Sequence, residues 1–123
     1  MDHPRAVHII DDDDAVRDSL AVLLEIRGVP VETYASARAF LAALADGAEG
    51  CVVTDVQMPG MNGLELLAAL RARGHTLPVI VATARGGRAM AAEAVARGAT
   101  ALIEKPFAPD AFIDAVSEAL GRG

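Results

Sequence analysis

Five times along this chain a short apolar run is followed by a longer stretch whose apolar residues recur at helical spacing. The runs are AVHII (6–10), VPVETYA (29–35), GCVVTD (50–55), PVIVAT (78–83) and ALIEK (101–105). After the first, Val16, Leu20, Leu23 and Leu24 share one helical face, with Asp14 placed to cap its start and Gly28 its end. After the second, Ser36 opens ARAFLAALA, with Phe40, Leu41 and Leu44 facing inward. The remaining helical patterns are LELLAALRARG (64–74), GGRAMAAEAVARG (86–98) with Gly98 as its stop, and DAFIDAVSEAL, with Pro109 in its first turn. Strands that alternate with helices predict an α/β fold, a five-stranded parallel sheet doubly wound with helices on both faces. The second run is the most polar, as an edge strand would be.

Residues 1–123 fit one domain, long enough to bury a core. Aromatics make up only 3% of the chain, so that core is built from Ala, Val, Leu and Ile. The apolar runs are far too short for a membrane span, and MDHPRAV has no signal-peptide character. The single cysteine, Cys51, has no internal disulfide partner and reads as a small buried hydrophobe, which makes the cytoplasm the expected compartment. A net charge of −6 argues against nucleic-acid binding by this domain, because phosphate neutralisation needs a basic face.

The polar residues matter for where they fall. Asp11–Asp12, Asp55, Thr83 and Lys105 stand at the carboxyl ends of four of the five runs. Ligands of open parallel sheets bind just outside those ends, where the strand order reverses. In the common order 2-1-3-4-5, strands one and three are neighbours there, and Asp11, Asp12 and Asp55 meet with Thr83 and Lys105 beside them. Two carboxylates about 4 Å apart repel by roughly 4 kcal/mol at an effective dielectric of about 20. A hard divalent cation relieves that repulsion, and clustered carboxylates with a backbone carbonyl suit Mg²⁺ and its attached phosphate oxygens. Lys105 is the one lysine in a chain whose other basic residues are all arginine, and a compact ammonium suits a point contact to a single oxygen.

Blander readings accompany each of these. Asp13 and Asp14 read as solvated loop and helix cap, and Thr83 taken alone is an ordinary strand residue. The MPGMNG segment is explained as a turn by its Gly and Pro, and such a turn also aims the Gln57 carbonyl. His3, His8 and His75 are too scattered for a metal cluster; His8 reads as a packed strand residue and His75 as a loop residue.

Taken together, IIDDDDAVRDSL, VVTDVQMPGMNGLELL, VIVATA and IEKPF resemble the receiver domain of two-component response regulators, and within it the FixJ type. The match runs from about Val7 to Leu120, and D-x-x-M-P-x-M-x-G with a downstream K-P-F is highly specific. The resemblance implies the flavodoxin-like (CheY-like) order 2-1-3-4-5. It implies Asp55 as phosphoacceptor, with Asp12 ligating Mg²⁺ (or Mn²⁺) directly and Asp11 largely through water. The Gln57 backbone carbonyl supplies the remaining protein ligand. Thr83 is then the hydroxyl that swings to the phosphoryl group, Lys105 the lysine that pairs with it, and Lys105–Pro106 a cis bond.

The implied partner is a sensor histidine kinase, and the implied chemistry is phosphoryl transfer, with no enzymatic turnover beyond self-phosphorylation from small donors and autodephosphorylation. Phosphorylation rearranges the face made by the fourth helix, fifth strand and fifth helix. A phosphorylation-dependent homodimer through residues 86–98 and 101–105 belongs to the same expectation. No membrane is involved. Leu102 stands where the family usually has Tyr or Phe, which puts the usual aromatic readout in question. Gln57, Ala84 and Arg85 flank the site as modulators, the small Ala84 leaving access to Asp55.

Relatives of this type usually add a C-terminal helix-turn-helix domain; the final GRG reads either as an ordinary end or as the start of a linker. Three other functions are weighed. A phosphatase of the haloacid dehalogenase type needs a second Asp where Gln57 stands. A nucleotide binder needs a Gly-rich loop where the four aspartates stand. A phosphorylation-independent interaction module on the same fold is the main alternative.

Overall fold

The structure is a computed structural model that describes residues 5–84 and 87–121. Strands and helices alternate as β1 (Val7–Ile10), α1 (Asp14–Ile26), β2 (Val31–Tyr34), α2 (Ala37–Ala43), β3 (Cys51–Asp55), α3 (Gly63–Ala72), β4 (Val79–Thr83), α4 (Arg88–Ala96), β5 (Ala101–Glu104) and α5 (Pro109–Ala119). All strand pairings are parallel and the order is β2-β1-β3-β4-β5. This is the doubly wound sheet expected from the alternation, in the CheY-like order that the resemblance implies.

The central strands β1 and β4 are buried along their whole length, and β3 everywhere but Asp55, as strands covered on both faces must be. The edge strands β2 and β5 are partly exposed. The two-residue alternation of strand side chains divides the core in two. Val7, Ile9, Cys51, Val53 and Ile80 pack with α1 and α5 around Phe112. Ile10, Val52, Val79 and Val81 pack with α2, α3 and α4 around Phe40. Each half thus has one fully buried phenylalanine amid aliphatic side chains.

Two details correct the sequence expectation. The N-cap of α1 is Asp13, not Asp14: Asp13 is extended (φ −92°, ψ 111°) and its carboxylate accepts from Ala15 and Val16 N–H, while Asp14 is already helical. Adjacent aspartates make that start ambiguous in sequence, and backbone conformation decides it. Lys105 lies just past β5 rather than within it, with its N–H donating to the Thr83 carbonyl at 2.7 Å. The Lys105–Pro106 bond is cis, as the resemblance implies. Gly28 and Gly98 end α1 and α4 with φ of +76° and +112°, where a side chain would be strained. His75 is in a loop, and also buried.

The MPGMNG turn folds back on itself. Gly63 N–H donates to the Val56 carbonyl at 2.9 Å, and a reciprocal capping box joins Asn62 and Glu65 at the start of α3. Among the described residues no helix is long and apolar enough to cross a membrane.

Candidate functional site

The register sets the site. Ile10 pairs with Thr54, so the next residues, Asp11 and Asp55, emerge side by side at the carboxyl edge of the sheet. Oxygens of the Asp11, Asp12 and Asp55 carboxylates all lie within 4.8 Å of one another. Asp11 is only 3% exposed, Asp55 is half-buried and Asp12 is open to solvent. Lys105 Nζ bridges two of them, donating to Asp11 Oδ2 at 2.9 Å and Asp55 Oδ2 at 3.2 Å.

Backbone groups hold the carboxylates in place. Asp13 N–H donates to Asp11 Oδ1 at 2.9 Å, and Gln57 N–H donates to Asp55 Oδ1 at 3.3 Å. The Asp11 N–H donates in turn to the Tyr34 carbonyl at 3.2 Å, tying the pocket to the edge strand β2. Arg17, which the sequence reading passed over, donates from Nη1 to the Asp11 carbonyl at 2.7 Å and pairs with Asp14. Its spacing of three residues from Asp14 on a helix was the available signal.

Burial raises the Asp55 carboxyl above the usual carboxylate range. The Lys105 ammonium and the Gln57 N–H oppose that rise, while the Asp11 charge reinforces it. Lys105 is itself held above the ordinary lysine value: burial pulls it down, but Asp11 and Asp55 together outweigh burial. The two directions are compatible, since Lys105 faces two anions whereas Asp55 faces one cation and another anion. One ammonium among three carboxylates leaves an excess of negative charge. Three oxygen donors with Asp12 on an open side fit a hard divalent cation such as Mg²⁺.

The remaining candidates divide. Thr83 is 0% exposed, and its hydroxyl donates to the Ala84 carbonyl at 2.9 Å; among the described residues it bonds no member of the acidic cluster. Ala84 is exposed directly after β4. Gln57 is exposed on the loop after β3. Arg85 lies outside the described residues. Leu102 is 39% exposed on β5, pairing with Val81 and away from the carboxylates in register. Beside Lys105 and Ala84 an open apolar groove of about 600 Å³ runs between α1 and the loop after β5, lined by Val16, Leu20, Pro106 and Phe107. Elsewhere, burial pushes the Cys51 thiol up to about 12, as its reading as a buried hydrophobe requires.

A parallel sheet with this order, carrying an acidic cluster and a lysine at its switch point, defines a class. Residues 7–117 match the response regulator receiver domain, and the chain belongs to that family. Among its relatives, the transcriptional regulatory protein FixJ of Azorhizobium caulinodans is 54% identical over 116 residues, 94% of this chain and 55% of that protein. The FixJ of Rhizobium meliloti is 45% identical over 113 residues, 92% of this chain and 55% of that protein. The chain thus spans about half the length of these curated relatives. In structure it resembles the crystal structure of FixJ-N, with a TM-score of 0.87 and 40% identity, over 100% of this chain and 98% of that one. Full-length FixJ from B. japonicum gives a TM-score of 0.90 at 40% identity, over 95% of this chain and 58% of that one.

Proposed function

We propose that this domain, residues 1–123 taken as one receiver, accepts a phosphoryl group on Asp55 from the phosphohistidine of a sensor histidine kinase. In this reading it serves a cytoplasmic two-component regulator of the FixJ type that controls transcription through an output domain or partner. The observation that carries the reading is the Lys105 ammonium bridging Asp11 and Asp55 within a cluster of three carboxylates.

An Asp55 oxygen attacks phosphorus; the new O–P bond forms as the P–N bond breaks, and the imidazole nitrogen leaves with the electron pair. Asp12, Asp11 through water, Asp55 and the Gln57 carbonyl would hold Mg²⁺ or Mn²⁺. When bound, the ion offsets charge on the phosphoryl oxygens. Lys105 pairs with a phosphoryl oxygen in exchange for part of its present contact with the carboxylates. Gln57 N–H keeps the carboxylate oriented. Gln57, Ala84 and Arg85 tune the lifetime of the acyl phosphate by the access they give to water.

The phosphoryl group carries roughly 1.5 to 2 negative charges in place of the single charge of the carboxylate, and its three acceptor oxygens draw the Thr83 hydroxyl from the Ala84 carbonyl. The α4–β5–α5 face then rearranges, with Leu102 filling the place of the usual aromatic. A homodimer through α4 and β5 would cover Val95 and Leu102, both exposed in this protomer. The domain itself binds no nucleic acid and no membrane, and it turns over no substrate beyond self-phosphorylation and autodephosphorylation.

Incubation with acetyl phosphate and Mg²⁺, followed by intact mass and site mapping, tests this. A single phosphate adduct on wild type and none on Asp55→Ala is the expected result. No adduct on wild type overturns it and leaves the interaction-module reading.

A further inference from the structure

Gly87 precedes α4 with φ −103° and ψ 12°, a negative φ open to residues with side chains. Its backbone therefore does not call for glycine. Nor does helix capping: α4 begins without a side-chain cap, where Ser, Asp or Asn would stabilise it by about 1 kcal/mol relative to Ala. What glycine supplies here is room. A Cβ at this position would lie 2.3 Å from Thr83 Oγ1, with Gln57 Oε1 at 3.2 Å and Gln57 Cδ at 3.3 Å.

All three neighbours are movable side-chain atoms, whereas a Cβ on Gly63 would strike the Val56 backbone at 2.8 Å. A side chain at position 87 is therefore accommodated by turning Thr83, not by moving the chain. Of threonine's three staggered χ1 wells, one is occupied now and one would put the methyl where the hydroxyl stands, so a single well clears the added Cβ.

We propose that Gly87 is a positioning residue of the Thr83 switch: the space it leaves is the berth in which the hydroxyl rests on the Ala84 carbonyl. Filling the berth raises the population of the rotamer that meets a phosphoryl group. The functional consequence rests on the phosphoacceptor reading above, but the berth is a property of the resting protein.

The test uses Gly87→Ala and Gly87→Ser, each in wild-type and Thr83→Ala backgrounds. Three-bond couplings to the Thr83 methyl report χ1 in the unphosphorylated protein. Calorimetry with Mg²⁺ reports affinity for beryllofluoride, a phosphoryl mimic. Both substitutions are expected to shift Thr83 χ1. They should tighten beryllofluoride binding by about tenfold, as follows when a minor state near 10% becomes dominant. In the Thr83→Ala background Gly87→Ala should change that affinity by less than about twofold.

An unchanged χ1, an unchanged affinity, or an equal effect in the Thr83→Ala background overturns the proposal. So does an effect seen with Ala and not Ser, which would trace to helix capping. If Gly87→Ala fails to fold, Gly87→Ser carries the test. The χ1 measurement needs no phosphoryl chemistry, so its failure is distinguishable from failure of wild type to accept phosphate.

Discussion

Lys105 Nζ donates to Asp11 Oδ2 at 2.9 Å across 94 residues of sequence, joining the loop after the last strand to the end of the first. Asp11 is almost wholly buried, and this ammonium together with the Asp13 N–H supplies the hydrogen bonds its side chain needs there.

Replacing that cation with an apolar chain should therefore separate two properties. Lys105→Met is expected to lose about 1–3 kcal/mol of stability in urea unfolding with chelator present, since two charged hydrogen bonds vanish. Calorimetry should show Mg²⁺ bound more tightly than by wild type, because the ammonium that bridges Asp11 and Asp55 no longer competes with the ion. Weaker Mg²⁺ binding would contradict the balance of charge described for the site.

Asp55 makes the opposite prediction for stability. Its folded carboxyl binds a proton more tightly than the unfolded one, so stability falls as pH rises from 3.8 through the raised folded value. Asp55→Asn keeps the acceptor oxygen for Gln57 and removes the charge. Without metal it should be more stable than wild type at neutral pH, with the difference closing as pH falls toward 3.8. Urea titrations across that range decide it.

His8 gives a second pH dependence, of opposite sign. Burial holds its imidazole below 6.5, only partly offset by the Glu49 carbonyl and the Glu32 charge, and among the described residues its Nδ1 has no hydrogen-bond partner. The unfolded chain therefore takes up the extra proton first, and stability is lost as pH falls below 6.5. His8→Phe keeps a flat ring against Tyr34 and Phe40 and should abolish the loss that sets in below pH 6.5. Thermal melts of both proteins measure it.

Gly63 stands where the loop after β3 closes onto α3. A Cβ there would meet Val56 Cα at 2.8 Å and the Asp55 carbonyl at 3.0 Å, both backbone atoms. Gly63→Ala should cost about 1–3 kcal/mol in chemical denaturation. Amide shifts at Asp55 and Gln57 should move with it.

Apolar periodicity was enough to read the architecture, because each βα unit hides its own stripe of side chains. The acidic cluster was legible for a related reason: strand ends converge once the order of strands is fixed. The missed features depend on close approach between distant loops. Nothing local in the sequence says that Thr83 turns its hydroxyl to Ala84, or that Gly87 leaves the space in which it does so. Arg17 reaching the Asp11 carbonyl likewise needs the angle at which α1 leaves β1. Asp13 displaced Asp14 as cap because two identical neighbours offer the same chemistry, and only chain direction separates them.

The hydrogen bond from Asp11 to the Tyr34 carbonyl has a practical corollary. The chain has one tyrosine and no tryptophan, so its emission in the tyrosine band comes from a single ring. That ring lies against Phe40 and His8, on the residue whose carbonyl accepts from the Asp11 N–H. Tyr34 emission is therefore the intrinsic signal by which a Mg²⁺ titration of this domain can be followed without a dye.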